Sequence, residues 1–330
     1  MSAGANSTAG STGDRPAFPS GMQVIERGWV SSNNIVFFDT GADGGNAVVD
    51  TGYVHHAAQT VELLRHALAK HQASGSRLSR IINTHTHSDH IGGNAALKSA
   101  WPEAEITIPA GDAGIVRRWD QAALHLSTMG QECARFDFDA VFAPGATLTL
   151  GGRAWRAIAS PGHHDASQML YCGEEQILIS ADALWENGFG VIFPEIDGDG
   201  ATLGEAFAAQ RATLDAIAGL KVTRVIPGHG APFGGCAAAL ERAYGRLDYF
   251  TAHPERHARN GLKVTLAFLL MIEQRIALDS LPARLAALPL AAHINHAYYQ
   301  LEAAALAEFV VTELEKSRVA RRAEGCLLLA

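Results

Sequence analysis

The chain has 330 residues, 48% of them hydrophobic and 18% charged, a make-up that suits an ordinary soluble protein with one large domain and a smaller one. Its formal charge of -8 gives no general attraction to nucleic acid or anionic membrane, and no apolar run approaches the ~20 residues a spanning helix needs. Four scattered cysteines, Cys133, Cys172, Cys236 and Cys326, form no CxxC pair; they argue against a disulfide framework and for a reducing, cytoplasmic setting. Residues 1–20 open with a Ser/Gly/Ala/Thr-rich stretch that has neither a basic start nor an apolar core, so they read as a disordered tail rather than a secretory signal.

From Met22 the pattern is β, with strands over 22–26, 34–38 and 47–50 and a glycine-rich turn at 41–45. Asp50-Thr51-Gly52 ends the third strand, and apolar residues at helical spacing predict a helix over 55–71. A strand at 80–82 and a helix behind it flank the loop Asn83-Thr84-His85-Thr86-His87-Ser88-Asp89-His90. A strand at 105–109 and a helix near 112–120 follow. The stretch 121–143 has no clear period and reads either as an excursion over a site or as a surface connection. Strands at 147–150, 154–160, 168–172 and 176–180 come next, then an amphipathic helix over 203–220 and a strand at 223–226. From Cys236 the pattern is almost wholly helical. The early strands with interspersed helices predict a layered α/β sandwich. No glycine-rich phosphate loop follows any strand, so a nucleotide cofactor has no support.

The loop at 83–90 puts four metal-type side chains, His85, His87, Asp89 and His90, into six residues. In extended backbone His85 and His87 point the same way and can reach one ion together, while Asp89 and His90 lie where the chain turns into a helix. The bland alternative is a polar loop in which Asp89 only caps that helix. Three more candidates sit at strand ends: His163 in Pro161-Gly162-His163, Asp182 after the strand at 176–180, and His229 in Pro227-Gly228-His229. One Pro-Gly-His alone is an ordinary turn. Four such loops at the ends of apolar strands gather function on a rigid scaffold. Imidazole and carboxylate without thiolate suit zinc, iron or manganese.

His85-Thr86-His87-Ser88-Asp89-His90 fits the HxHxDH signature, and on it the sequence resembles the metallo-β-lactamase superfamily over about 22–235. The resemblance implies a four-layer αββα sandwich with two divalent ions at one edge of its sheets. One ion would be held by His85, His87 and His163 and the other by Asp89, His90 and His229. Asp182 would bridge them, and Asp50 would orient a ligand or the shared water. That water, acidified to hydroxide by the pair of ions, would be the nucleophile. His164, beside His163, is a candidate proton donor; as an alternative it is an exposed loop residue.

An acidic bridge such as Asp182 marks the broad hydrolase group of the family rather than its true β-lactamases. Flavodiiron members carry glutamate where His87 stands. The processing nucleases place a large domain where this chain has only 47 residues from Asp182 to His229. Glyoxalase-II-type hydroxyacylglutathione hydrolases fit the ligands and have a helical tail. Here the tail reads as helices over 257–276, 280–288 and 298–315, followed by a basic end with Arg318, Arg321 and Arg322. That order resembles a winged helix and divides the chain into a catalytic domain at 21–240 and a helical, winged-helix-like one at 241–330; the bland alternative is a plain helical bundle packed on the catalytic domain or a second subunit. From Cys236 on there are 11 basic and 10 acidic residues, too even a balance for the broad basic face that duplex binding uses. The expectation is therefore a hydrolase of a small ester or thioester using two divalent ions, zinc first, with iron or manganese as alternatives. A single-strand endoribonuclease and a hydroxyacylglutathione hydrolase stand as alternative activities, a homodimer as a candidate assembly, and a metal-dependent scaffold as the non-catalytic reading.

Overall fold

The computed structural model describes residues 18–38, 45–71, 77–193 and 202–330; most of the expected tail and of the turn at 41–45 lies outside them. The chain runs through β1 (Met22–Ile25), β2 (Asn34–Phe37), β3 (Asn46–Val49), α1 (Ala57–His71) and β4 (Leu78–Ile82). Two short helices, α2 (Ser88–Ile91) and α3 (Asn94–Ala100), then lead to β5 (Glu105–Pro109), α4 (Ala113–Arg118), α5 (Leu126–Met129) and β6 (Ala140–Phe142). Strands β1 to β6 form one sheet in sequence order, antiparallel up to β3 and parallel beyond it. The second sheet holds β7 (Thr147–Leu150), β8 (Arg153–Ala159), β9 (Gln168–Cys172), β10 (Ile177–Ala181) and β11 (Arg224–Pro227), in the order β11-β10-β9-β8-β7. Its parallel pair, β10 with β11, is joined across α6 (Leu203–Ala218), whose start is fixed by a capping box between Thr202 and Glu205.

Alternation along the strands builds two sets of contacts at once. Ile35, Phe37, Ala47, Val49 and Ile82 meet Trp155, Leu170, Ile177, Ile179 and Ile226 between the sheets. Their neighbours Val36, Phe38, Val48 and Ile81 face the other way, against α1 and α3. On the second sheet Met169, Leu178 and Val225 likewise turn outward toward α6 and α7 (Cys236–Ala252). Because both faces are covered, the central strands read as unbroken apolar runs. The result is a four-layer αββα sandwich.

The remaining chain forms α8 (Pro254–Glu273), β12 (Arg275–Ala277), α9 (Leu281–Ala287), α10 (Pro289–Ile294), α11 (Ala303–Lys316), β13 (Ala320–Ala323) and β14 (Cys326–Leu329). The three strands pair antiparallel in the order β12-β14-β13. Leu262, Leu266, Leu285, Ile294, Val310 and Leu314 meet in a core of their own. Three details differ from the sequence reading. The helix expected to reach 276 stops at Glu273, because Gln274 takes a left-handed conformation with φ 63° and the next residues pair with β14. Pro289 starts a separate helix that the periodicity did not mark. The boundary expected at 240/241 falls inside α7, whose Ala239, Leu240, Ala243 and Leu247 pack on the second sheet's helical layer. Helix α8 reaches back to the sandwich through Phe268, which packs on Val30 and sets its ring edge-on to Tyr53 at 5.3 Å.

Candidate metal centre

Strand β3 delivers Asp50 with φ 58°, a left-handed conformation rare outside glycine. Both ends of the residue are pinned. Its carboxylate accepts hydrogen bonds from the Thr84 backbone N–H and Oγ1, each at 2.8 Å, while its carbonyl accepts one from Asn34 Nδ2 at 3.0 Å. The same carboxylate lies 2.8 Å from His90 Nδ1, so it fixes that ring and turns Nε2 toward the site.

The structure brings together all seven side chains singled out as ligands, as three interlocking groups: His85, His87 and His163; His85, His90 and Asp182; Asp89, His90 and His229. Within each group the candidate donor atoms lie within 4.8 Å of one another. His87 Nδ1 sits 3.2 Å from His85 Nε2 and 2.8 Å from His163 Nε2, and burial together with the neighbouring rings pushes His85 and His87 well down from the usual histidine range. Neutral imidazoles whose lone pairs converge on one point are what a cation requires. His90 Nε2 is buried without a hydrogen-bond partner, 3.6 Å from Asp182 Oδ1. The residues therefore fit a divalent cation.

Asp182 occupies the middle. Its Oδ2 lies 3.3 Å from His163 Nε2 and 3.8 Å from His229 Nε2. Burial alone would raise its pKa, but His229, His90 and His163 hold it well below the carboxylate range. Asp89 behaves in the same way: burial opposes ionisation, and the His229 contact at 3.0 Å wins. The glycines of the strand-end loops make room for this crowding. A Cβ on Gly228 would strike Asp182 Oδ1, and one on Gly190 would sit 2.6 Å from His163 Nδ1. His163 Nδ1 instead donates to the Val191 carbonyl at 2.7 Å, which presents Nε2 to the site.

His164 departs from the expected proton donor. It belongs to none of the three groups and packs edge-on to His87 with ring centroids 5.0 Å apart, its Nε2 3.5 Å from Thr86 Oγ1 and 3.8 Å from Asp112 Oδ1. Burial and the adjacent His163 push it down to about 4, whereas burial lifts Asp112 to about 7. A neutral ring has no surplus proton to give a leaving group, so the contacts to Thr86 and Asp112 suit a positioning role better than that of proton donor.

Other contributors carried no motif. Trp185 donates its indole N–H to Asp182 Oδ1 at 3.2 Å. Trp29, 56% exposed, lies nearly parallel to His229, with ring centroids 5.9 Å apart. The stretch at 121–143 supplies Met129 and Gln131 to the wall, and α8 supplies Val264, Ala267, Phe268 and Met271. Together with the ligands they enclose a cavity of about 330 Å³. A second, more polar cavity of about 520 Å³, lined by Asp112, His125, His164 and Asp165, shares His163 and Phe193 with the first.

The family model "Metallo-beta-lactamase superfamily" matches residues 27–229, and the chain belongs to that family. A hydroxyacylglutathione hydrolase of Acidiphilium cryptum is 31% identical over 150 residues, 46% of this chain and 49% of the relative. A beta-lactamase-like protein 2 homolog of Caenorhabditis elegans is 26% identical over 240 residues, 71% of this chain and 66% of the relative. The chain thus spans about half to two thirds of the length of these curated relatives. A beta-lactamase domain protein from Burkholderia ambifaria shares the fold, with a TM-score of 0.57 and 17% identity over 98% of this chain and 97% of that one. Among the described residues no helix is long and apolar enough to cross a membrane.

Proposed function

We propose that this protein is a cytoplasmic metal-dependent hydrolase of a small ester or thioester, holding two divalent ions, zinc foremost. The single observation that carries the reading is the cavity: its floor is formed by His87, Asp89, His163, Asp182 and His229 of the seven candidate ligands, and its walls are largely apolar, with Arg246 the only lysine or arginine among the described lining residues. A space of about 330 Å³ suits a small organic molecule. When bound, the ions supply Lewis acidity toward a carbonyl and toward water. His85, His87 and His163 would hold one ion, Asp89, His90 and His229 the other, and Asp182 both. Asp50 and Val191 keep the His90 and His163 rings turned inward, and the indole N–H of Trp185 fixes the Asp182 carboxylate. The apolar walls exclude bulk water and leave the reacting carbonyl over the ligand floor. The matches to hydroxyacylglutathione hydrolases support the thioester form of this reading.

A second reading is supported by the order of α8, β12, α9, α11, β13 and β14, which is winged-helix-like and would serve a single-strand endoribonuclease. Its basic hairpin is partly neutralised, because Arg322 is held by Glu308 at 2.8 and 2.9 Å and by Glu315 at 3.2 Å. The test is to assay the metal-loaded protein against p-nitrophenyl esters, acyl thioesters, lactones and labelled single-stranded RNA. Turnover of esters or thioesters is expected; cleavage of RNA alone would overturn the proposal.

A further inference from the structure

The lining of the metal cavity contains a single guanidinium, and nothing in the described structure neutralises it. Arg246, on α7, makes no ion pair among the described residues, and its Nε is buried without a hydrogen-bond partner. Its nearest companions are rings: the guanidinium carbon lies 5.5 Å from the Phe189 centroid and 5.2 Å from that of Phe250. These contacts favour a cation but accept no conventional N–H hydrogen bond. The side chain approaches so closely that a Cβ on Gly188 would sit 2.9 Å from Nη1, and Gly188 itself has φ 133°. Arginine bonded to neighbours on α7 looks different: Arg242, one turn earlier, donates to the Glu186 carbonyl at 2.8 Å.

The guanidinium is half-buried, with its Nε shut off from water and unpaired; a partly desolvated charge without a partner is costly, and in the wall of a substrate-sized cavity it suits an anion from outside. We infer that Arg246 anchors a carboxylate on the substrate, whose apolar body lies along Phe268 and Met271 and whose scissile carbonyl sits over the metal ligands. The inference deepens the proposed ester or thioester hydrolysis and rests on it for the reaction. Carboxylate is favoured because one planar guanidinium matches its two oxygens, whereas the described lining residues include no second lysine or arginine for a phosphate. Arg246 is thus a specificity-determining residue and takes no part in bond breaking.

The test compares p-nitrophenyl hexanoate with the mono-p-nitrophenyl ester of adipate, equal in acyl length and different only in the terminal carboxylate, on the metal-loaded full chain. Wild type should favour the adipate ester in kcat/KM. Arg246→Met should shrink that preference by roughly 10- to 100-fold, the usual worth of a charged hydrogen-bonded contact, and Arg246→Lys should restore part of it. Equal loss on both esters would make Arg246 a packing residue and overturn the inference. So would a wild type with no preference, which needs no folded variant to observe. Calorimetric binding of adipate and hexanoate separates the two layers. Adipate preferred through Arg246 without hydrolysis of either ester would sink the proposed reaction and keep the anchor. Hydrolysis of both esters with no preference would keep the reaction and sink the anchor.

Discussion

Two regions meet at the cavity and are held in place differently. At the sheet edge three of the seven candidate ligands are fixed by a further polar contact: His90 by Asp50, His163 by the Val191 carbonyl, Asp182 by Trp185. The backbone there is committed as well, with Asp50 and Ala181 at positive φ and Gly228 kept free of a side chain by Asp182. Helix α8, the opposite wall, is positioned by apolar packing: Leu262 and Leu266 into the tail's own core, Phe268 against Val30 and Tyr53. Directional contacts tolerate few replacements, while apolar packing accepts many residues of similar volume. On the proposed function the chemistry belongs to the rigid edge, while the apolar wall of α8 only shapes the space for the substrate's body.

The sharpest way to break this contrast is at its centre. Asp182→Ala removes the one side chain lying between both sets of ligands. Turnover should fall by roughly 1,000-fold or more, the equivalent of several kcal/mol of lost charge stabilisation, with bound metal per chain falling in parallel by elemental analysis. His164→Ala should cost far less, since it belongs to no ligand group. Retention of full metal and near-wild-type turnover by Asp182→Ala would refute the ligand assignment. The wall should respond in the other sense. Leu266, fully buried in the tail's core, should cost about 2–5 kcal/mol of stability when changed to alanine. That loss is read by urea unfolding, with kcat kept at temperatures well below the transition; a loss of kcat without a loss of stability would mean that α8 acts on the chemistry.

The same contrast explains what could be read from sequence. The cluster of candidate ligands was legible because metal chemistry demands particular side chains at strand ends, and Pro-Gly before His163 and His229 marks tight loops. The strands were legible because burial on both faces leaves apolar runs such as Ile177 to Ile179. Trp29, Trp185, Arg246 and the α8 wall were not, because their roles come from packing across more than 200 residues of chain, and each looks ordinary in its own segment. The contacts of His164 with Thr86 and Asp112 were not legible for a related reason: adjacency to His163 in sequence says nothing about which way its ring turns. The first two residues of β12, Arg275 and Ile276, were absorbed into the preceding helix because Ile276 continues its apolar spacing, and only the pairing with β14 shows the break.

Between these extremes lies Asp50, which touches ligands without joining them. Asp50→Asn keeps the shape but weakens the charge that orients His90 and the acceptor for Thr84. Metal affinity or turnover should drop by about 10- to 100-fold, the usual cost of losing such a supporting carboxylate. Competition with a chelator whose metal affinity is known measures it. Wild-type affinity in that variant would mean that His90 is oriented by its ring packing alone.

The smallest effect is expected at the basic hairpin. Arg322 ties Glu308 on α11 and, with it, β13 to that helix, whereas Arg318 and Arg321 form no ion pair among the described residues. Changing all three to alanine should cost at most about 1 kcal/mol, as is usual for exposed pairs, and should leave ester or thioester turnover intact. The Arg322 hydrogen bond holds Glu308 below its ordinary value of 4.5. A depressed carboxylate stabilises the fold above that value, and the contribution fades as pH falls through the lower, folded-state pKa. The difference in unfolding free energy between wild type and the triple variant should therefore be constant at neutral pH and shrink in acid. If instead the variant lost binding to single-stranded RNA, with a shallower salt dependence for each phosphate contact removed, the hairpin would be a nucleic-acid surface and the endoribonuclease reading would take precedence.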